Sequence, residues 1–186
     1  MNTPMNTTLT KIVPNFILFQ IGWFSLVLSG AAGEPFIGLL VAIGIILFHL
    51  WRSDSVMPEV YLLGFAMVIG ATWDSLLVAL SLLDYTSGIL ISNTAPYWIV
   101  ALWALFATTI NVSLRWLKFK YLIAALLGGV AGPLAYYGGS RLGALEFINV
   151  EWALISLAIG WAIFTPLLVL ISNYFDGYPE LSRRAS

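Results

Sequence analysis

Six apolar stretches, each near or beyond the length of about 20 residues that a helix needs to cross the hydrocarbon core of a bilayer, take up almost the whole chain. They run over 13–31, 36–51, 60–83, 96–116, 119–140 and 152–172. In lipid every peptide N–H and C=O must find its partner inside the protein, and stretches of this length do so as helices. The expectation is an all-α, polytopic membrane bundle with about six transmembrane helices, formed as one integral membrane domain over residues 1–186. The second stretch is short, but Trp51 and Arg52 at its end pair a belt aromatic with a cation that can snorkel, which favours a full crossing.

The composition narrows what such a bundle can do. Hydrophobic residues make up 60% of the chain and charged residues 9%, against roughly a quarter charged in a water-soluble domain. Eight basic and nine acidic residues leave a net charge of −1, so there is no electrostatic footprint for nucleic acid and none is expected as a partner. Cysteine is absent and His49 is the single histidine, so thiolate chemistry, iron–sulfur clusters and multi-histidine metal centres have no ligands; no cofactor or metal is expected. There is no phosphate-binding loop ending in Gly-Lys-Ser/Thr, no His-Glu-x-x-His helix, and no serine with a base at related depth, which disfavours enzymatic activity within this chain.

Helix punctuation and charge set the topology. Pro35, Pro58 and Pro96 fall near the starts of the second, third and fourth stretches, where a missing N–H costs little. Only Leu117 and Lys118 separate the fourth stretch from the fifth, a joint that predicts two antiparallel neighbours. With six crossings, Lys11, Arg52, Arg115, Lys118, Lys120, Arg183 and Arg184 share one side and Arg141 alone takes the other, so both termini are assigned to the cytoplasm. A cleaved leader is the competing reading of the first stretch, with Ser29-Gly30-Ala31-Ala32 as the cleavage region, but Asn15 and Gln20 interrupt the apolar run.

Against this background Asp74 stands out. It lies 14 residues past Val60 in the stretch 60–83, about 20 Å along a helix and so near mid-membrane, where an aspartate costs roughly 2.5–3.5 kcal/mol on insertion scales. It must therefore face other helices, a cavity or a partner, either as a proton- or substrate-binding group or as a hydrogen-bonded tie between helices. The fifth stretch supplies a second feature, Gly128-Gly129-Val130-Ala131-Gly132-Pro133, which predicts tight packing or a break near Pro133. In the second case, freed backbone groups with Tyr136, Tyr137 and Arg141 line a polar cavity that opens outward, and Arg141 becomes a candidate partner for Asp74. Gln20, Thr108, Thr109, Asn111, Ser113 and His49 lie toward the other end, where interhelical hydrogen bonds are expected and His49 reads as interfacial. Trp98, Trp103, Trp152 and Trp161 read as belt or packing residues. The candidate binding set is thus Asp74, Trp73, Gln20, Asn111, Pro133, Tyr136, Tyr137 and Arg141.

Several strings together carry a resemblance: Asn15-Phe16 with Phe19-Gln20 and Trp23; Trp73-Asp74-Ser75; Pro96-x-Trp98 with Leu102-Trp103; Ser113-Leu114-Arg115-Trp116-Leu117; and Gly132-Pro133-Leu134-Ala135-Tyr136. With these motifs the chain resembles an uncharacterised family of small bacterial inner-membrane proteins, a domain of unknown function. The resemblance implies a bacterial inner-membrane location and a context of membrane-lipid metabolism beside lipid-modifying enzymes. It departs at Val112, where the family pattern often has histidine, so no mechanism requiring a histidine there is carried over. Three readings follow: a protein that binds or moves a small molecule or membrane lipid at an inter-helix site around Asp74; an accessory or scaffold subunit, or an oligomer, docking a partner such as a lipid-modifying enzyme; and an enzyme acting on lipid through Asp74.

Overall fold

The computed structural model describes residues 4–179 and 181; Arg183 and Arg184 lie outside them. Six α-helices follow one another: α1 (Pro4–Ala31), α2 (Pro35–Arg52), α3 (Val56–Ala79), α4 (Tyr97–Ile110), α5 (Tyr121–Arg141) and α6 (Val150–Tyr174). Five are long and apolar enough to cross a membrane, and outward faces carry Phe36, Leu47, Val68, Leu126, Leu134 and Ile159, all exposed, as a lipid-facing surface requires. The chain is a multi-pass membrane helix bundle.

The fourth helix is the exception and the centre. The stretch read as a span over 96–116 is helical only over 14 residues, about 21 Å, too short for a bilayer core. Eleven of those residues are buried, because α1, α2, α3 and α6 pack around it. A helix apolar on all sides belongs inside other protein. It stops at Asn111, whose side chain turns to hydrogen-bond partners described below, and the chain continues through a 3-10 turn (Arg115–Leu117) and a left-handed Phe119, φ 63°, before α5 begins. The expected α4–α5 antiparallel pair is therefore corrected: the joint is longer than two residues, and α5 lies along α6 instead.

The third stretch is also shifted relative to 60–83. Helix α3 starts at Val56 and ends at Ala79, with Ser81 at φ 54° breaking it. The residues beyond form β1 (Leu83–Tyr85), which pairs antiparallel with β2 (Leu145–Phe147) and ties the α3–α4 connection to the α5–α6 connection. Asp74 consequently lies five residues, about 7.5 Å, from the end of its helix rather than at its middle. Leu83 and Tyr85 point into the bundle while Asp84 between them faces out.

Tryptophans seated on glycines lock the helices together. Gly70 of α3 lies against the ring of Trp103, Gly132 of α5 against Trp161, and Gly160 of α6 against Trp73; a Cβ at any of them would overlap the indole. Trp103 and Trp161 stack at 4.5 Å and 17°, so α4 and α6 meet through two rings that the glycines of α3 and α5 admit. Gly64, also on α3, has nothing within 4 Å of a Cβ position. Gly70→Ala is expected to lower stability by about 1–3 kcal/mol through overpacking. Gly64→Ala, by contrast, should raise it by about 0.5–1 kcal/mol through helix propensity alone. Thermal unfolding of the purified protein in detergent measures both.

Candidate functional site

Asp74 is fully buried and receives three hydrogen bonds. Tyr85 Oη donates to Oδ1 at 2.6 Å, Tyr136 Oη donates to the same oxygen at 2.7 Å, and Trp103 Nε1–H donates to Oδ2 at 2.7 Å. The three donors come from β1, α5 and α4, so one carboxyl group gathers four separate elements. The local sequence explains how. Gly70 precedes Asp74 by one turn, and Gly132 precedes Tyr136 by one turn; each glycine admits the indole beside which its polar neighbour is placed. Burial, with Asp74 alongside, pushes the Tyr85 hydroxyl well above its ordinary range and keeps it a donor.

The other candidates divide around this centre. Trp73 turns the opposite way, onto Gly160 and Phe164 of α6, and its Nε1 is buried without a hydrogen-bond partner among the described residues. Pro133 sits within an unbroken α5, so the predicted break is absent and the Gly-Pro run serves packing against α6. Tyr137 and Arg141 are exposed, and Arg141 does not pair with Asp74, whose oxygens are taken by the two tyrosines and Trp103. Gln20 and Asn111 lie elsewhere, in two further features.

The first is a cavity of about 480 Å³ between α1 and α5, backed by α4 and α6. Phe16, Phe19, Gln20 and Trp23 form its α1 wall, Ala131, Ala135 and Tyr136 its α5 wall, and Phe106, Trp161 and Thr165 part of its floor. Phe16, Phe24 and Leu134 at its mouth are about half exposed, so it opens sideways to the surroundings of the bundle. Helices α1 and α5 approach at Trp23 and Gly138, where a Cβ would stand 3.6 Å from the indole. Among the described residues no charged one lines the cavity; where the broken-helix reading expected a polar cavity opening outward, the structure has an apolar one opening laterally. Tyr136 belongs to both features, its ring in the cavity wall and its hydroxyl on Asp74.

The second feature lies at the opposite, cation-rich end. Glu59 in the first turn of α3 is fully buried. Its Oε2 meets His49 Nε2 at 2.7 Å, while Oε1 accepts from Asn111 Nδ2 at 2.7 Å and from the Gly177 N–H at 2.8 Å. Tyr178 Oη donates to the His49 carbonyl at 2.6 Å, and the Gly177 carbonyl accepts from the Asp54 and Ser55 N–H groups at 2.8 and 3.1 Å. Around this centre Arg115 forks onto Asp176 at 2.9 and 2.5 Å, with Lys118 at 3.0 Å from the same carboxylate. Burial alone would raise Asp176, but the bonds from Arg115, the Tyr178 N–H and Lys118 outweigh it and hold its carboxyl below the ordinary value. Burial lowers Lys118, with Asp176 opposing, and burial beside Glu59 raises the Tyr178 hydroxyl. Asn15, rather than Gln20, makes the interhelical bonds nearby, donating to the Thr108 carbonyl at 3.0 Å and accepting from Ser113 Oγ at 2.7 Å.

The sequence model of the family described as "Protein of unknown function (DUF2878)" matches residues 12–167. The chain belongs to this family. The matched DUF2878 region holds Asp74 with all three of its donors, every residue named above as lining the cavity, and His49, Glu59 and Asn111; it ends before Asp176, Gly177 and Tyr178, which complete the cation-rich end. No curated protein and no solved structure matches the chain.

Sequence reasoning missed Tyr85, Trp103, Glu59 and Tyr178, and assigned His49 to the interface. A signal was present for one of them: Gly70 at a one-turn spacing before Asp74 implies a large ring on the facing helix, and Trp103 is such a ring at comparable depth. Nothing local marks Tyr85, Glu59 or Tyr178, whose roles depend on long-range pairing.

Proposed function

We propose that this DUF2878 member binds a neutral apolar molecule taken laterally from the bilayer into the cavity between α1 and α5. The carrying observation is the cavity itself: about 480 Å³, within the usual range for ligand sites of roughly 300–1,000 Å³, with aromatic walls and an opening on the lipid-facing side. Asp74, the residue whose insertion cost demanded a reason, then acts as the anchor that holds Tyr136 in the cavity wall. Placement in a bacterial inner membrane, with the Glu59 end in the cytoplasm, is supported by the cations Lys11, Arg52, Arg115, Lys118 and Lys120 at that end against Arg141 at the other.

The test is photolabelling of the purified protein with a diazirine-bearing long-chain alkane, followed by mapping of the adducts. Label is expected on α1 and α5 residues of the cavity. Ala135→Phe fills the space from the α5 wall without touching the Asp74 bonds and should cut cavity labelling by about tenfold. Labelling spread evenly over the outer faces of the helices, unchanged by Ala135→Phe, would refute the proposal.

A further inference from the structure

Gln20 of α1 carries an amide at a depth where a bilayer has nothing to bond it. The residue is exposed and lines the cavity, and none of the described residues makes a hydrogen bond to its side chain. It is the eleventh of the 22 residues of the span Thr10–Ala31, so each end of the span lies about 15 Å away along the axis, beyond a glutamine's reach toward either headgroup layer. The α5 wall has its own middle at Ala131, the eleventh of 21 residues, with Gly128, Gly132 and Ala135 around it, and none of these has a polar side chain. On the far side the polar groups are committed or shut in. Tyr136 Oη donates to Asp74 and Trp98 Nε1 to the Ser87 carbonyl at 2.9 Å, while Trp161 Nε1 and Thr165 Oγ1 are buried out of contact with the cavity space.

An unpaired amide in hydrocarbon is costly, so a partner from outside the chain is called for. An ordinary phospholipid holds its ester carbonyls at the headgroup level and brings only methylenes to this depth. A second copy of the chain is disfavoured by the neighbours of Gln20 on its own helix. Phe16 and Phe24, one turn to either side and about half exposed, would hold another helix away, whereas hydrogen-bonded helix pairs approach through small residues. The partner that remains is the occupant of the cavity. A primary amide presents two N–H donors and a carbonyl acceptor, so the group that answers it both accepts and donates. Among the described residues no charged side chain lines the cavity, which selects against a carboxylate or phosphate, whose burial there would lack a counter-ion. A hydroxyl is neutral and has both capacities.

We infer that the occupant is a lipid-phase alcohol, a largely hydrocarbon molecule whose hydroxyl group meets the Gln20 amide near the middle of the membrane. This rests on the lateral-cavity reading of function and adds the chemical class of the occupant.

Displacement of the photoreactive alkane measures it, using two competitors of equal chain length, an alkane and the alcohol with its hydroxyl at mid-chain. The readout is the ratio of their half-displacing concentrations in the wild type and in Gln20→Met, which keeps the length of the side chain and removes the amide. Both proteins meet the competitors in the same detergent, so the comparison isolates the amide. The alcohol should gain about fivefold over the alkane in the wild type relative to the variant, the size of one hydrogen bond made in a dry site. Gln20→Met should still take up the alkane and should unfold at the same temperature or higher, because the amide has no partner in the chain to lose. An unchanged ratio, a lower unfolding temperature in Gln20→Met, or a smaller oligomeric mass of that variant in detergent, which would place the amide between copies, would each overturn the inference while alkane labelling of the cavity still upheld the function proposed above. Failure of the alkane to label the cavity would remove both.

Discussion

Asp74→Ala is expected to be the most damaging single substitution in the membrane core. It removes the acceptor shared by Tyr85, Tyr136 and Trp103 and strands three donors that are otherwise buried among apolar side chains. An unsatisfied buried group costs roughly 1–3 kcal/mol, and partial relaxation of the tyrosines brings the expected total to about 3–5 kcal/mol. Asp74→Asn provides the contrast. Its amide oxygen can accept from Trp103 Nε1–H while its NH₂ group faces the two hydroxyls, which can rotate to accept, so the loss should be held to about 1–2 kcal/mol. Thermal unfolding of the two variants in the same detergent should therefore rank wild type, Asn, Ala. If Ala were tolerated as well as Asn, Asp74 would not be the tie between elements described here. Labelling of the cavity should fall with Asp74→Ala, because Tyr136 loses its anchor, and survive in Asp74→Asn.

How far the chain announced this arrangement depends on the range over which each constraint acts. Bilayer thickness and the need to satisfy the backbone act on each stretch separately, so the helical bundle was readable from hydropathy alone. The fourth stretch misled because composition cannot separate a helix surrounded by lipid from one surrounded by other helices. Tyr97–Ile110 is apolar on every face for the second reason. Its end at Asn111 is set by Glu59 and the Phe175 carbonyl, 52 and 64 residues away in sequence, and no local signal encodes them.

The candidate site divides along the same line. Asp74 was visible because a charge deep in an apolar run is costly wherever its neighbours turn out to be. Its true depth was not, because the end of α3 is fixed by Ser81 and by the pairing of Leu83–Tyr85 with Leu145–Phe147 across the bundle. That same pairing delivers Tyr85. The run Gly128–Pro133 was open to two readings, tight packing or a break; α5 runs on through Pro133, and Gly128 and Gly132 lie against Thr165 and Trp161 of α6. Gln20 lies in the α1 wall of the cavity, and the interhelical bonds expected of it are made by Asn15, more than a turn away, to Thr108 and Ser113.

Glu59→Ala should produce the corresponding collapse at the other pole, with a distinct signature. Among the described residues the glutamate alone holds α2, the start of α3, the end of α4 and the segment after α6 through one side chain: His49 on Oε2, Asn111 and the Gly177 N–H on Oε1. Its removal leaves a buried imidazole and a buried amide without their acceptor, for an expected loss of about 3–5 kcal/mol. It also unfastens Gly177, so limited proteolysis should cut between Phe175 and Leu181 in the variant well before it cuts the wild type. Glu59→Gln keeps Oε1 as acceptor for Asn111 and Gly177, and the amide NH₂ that replaces Oε2 can donate to His49 once the imidazole adopts the tautomer that leaves Nε2 free, so about 1 kcal/mol should be lost and the segment should stay protected. Asp176→Asn tests the rim of the same cluster: its contacts with Arg115 and Lys118 are partly exposed, with the carboxylate side chain 20% accessible, and about 1 kcal/mol or less is expected. A rim substitution that freed the segment as readily as Glu59→Ala would move the fastening from the buried glutamate to the surface ion pairs. Equal protection in all three variants would mean that Val112, Tyr178 and Leu181, which pack together there, hold the segment by apolar contact alone.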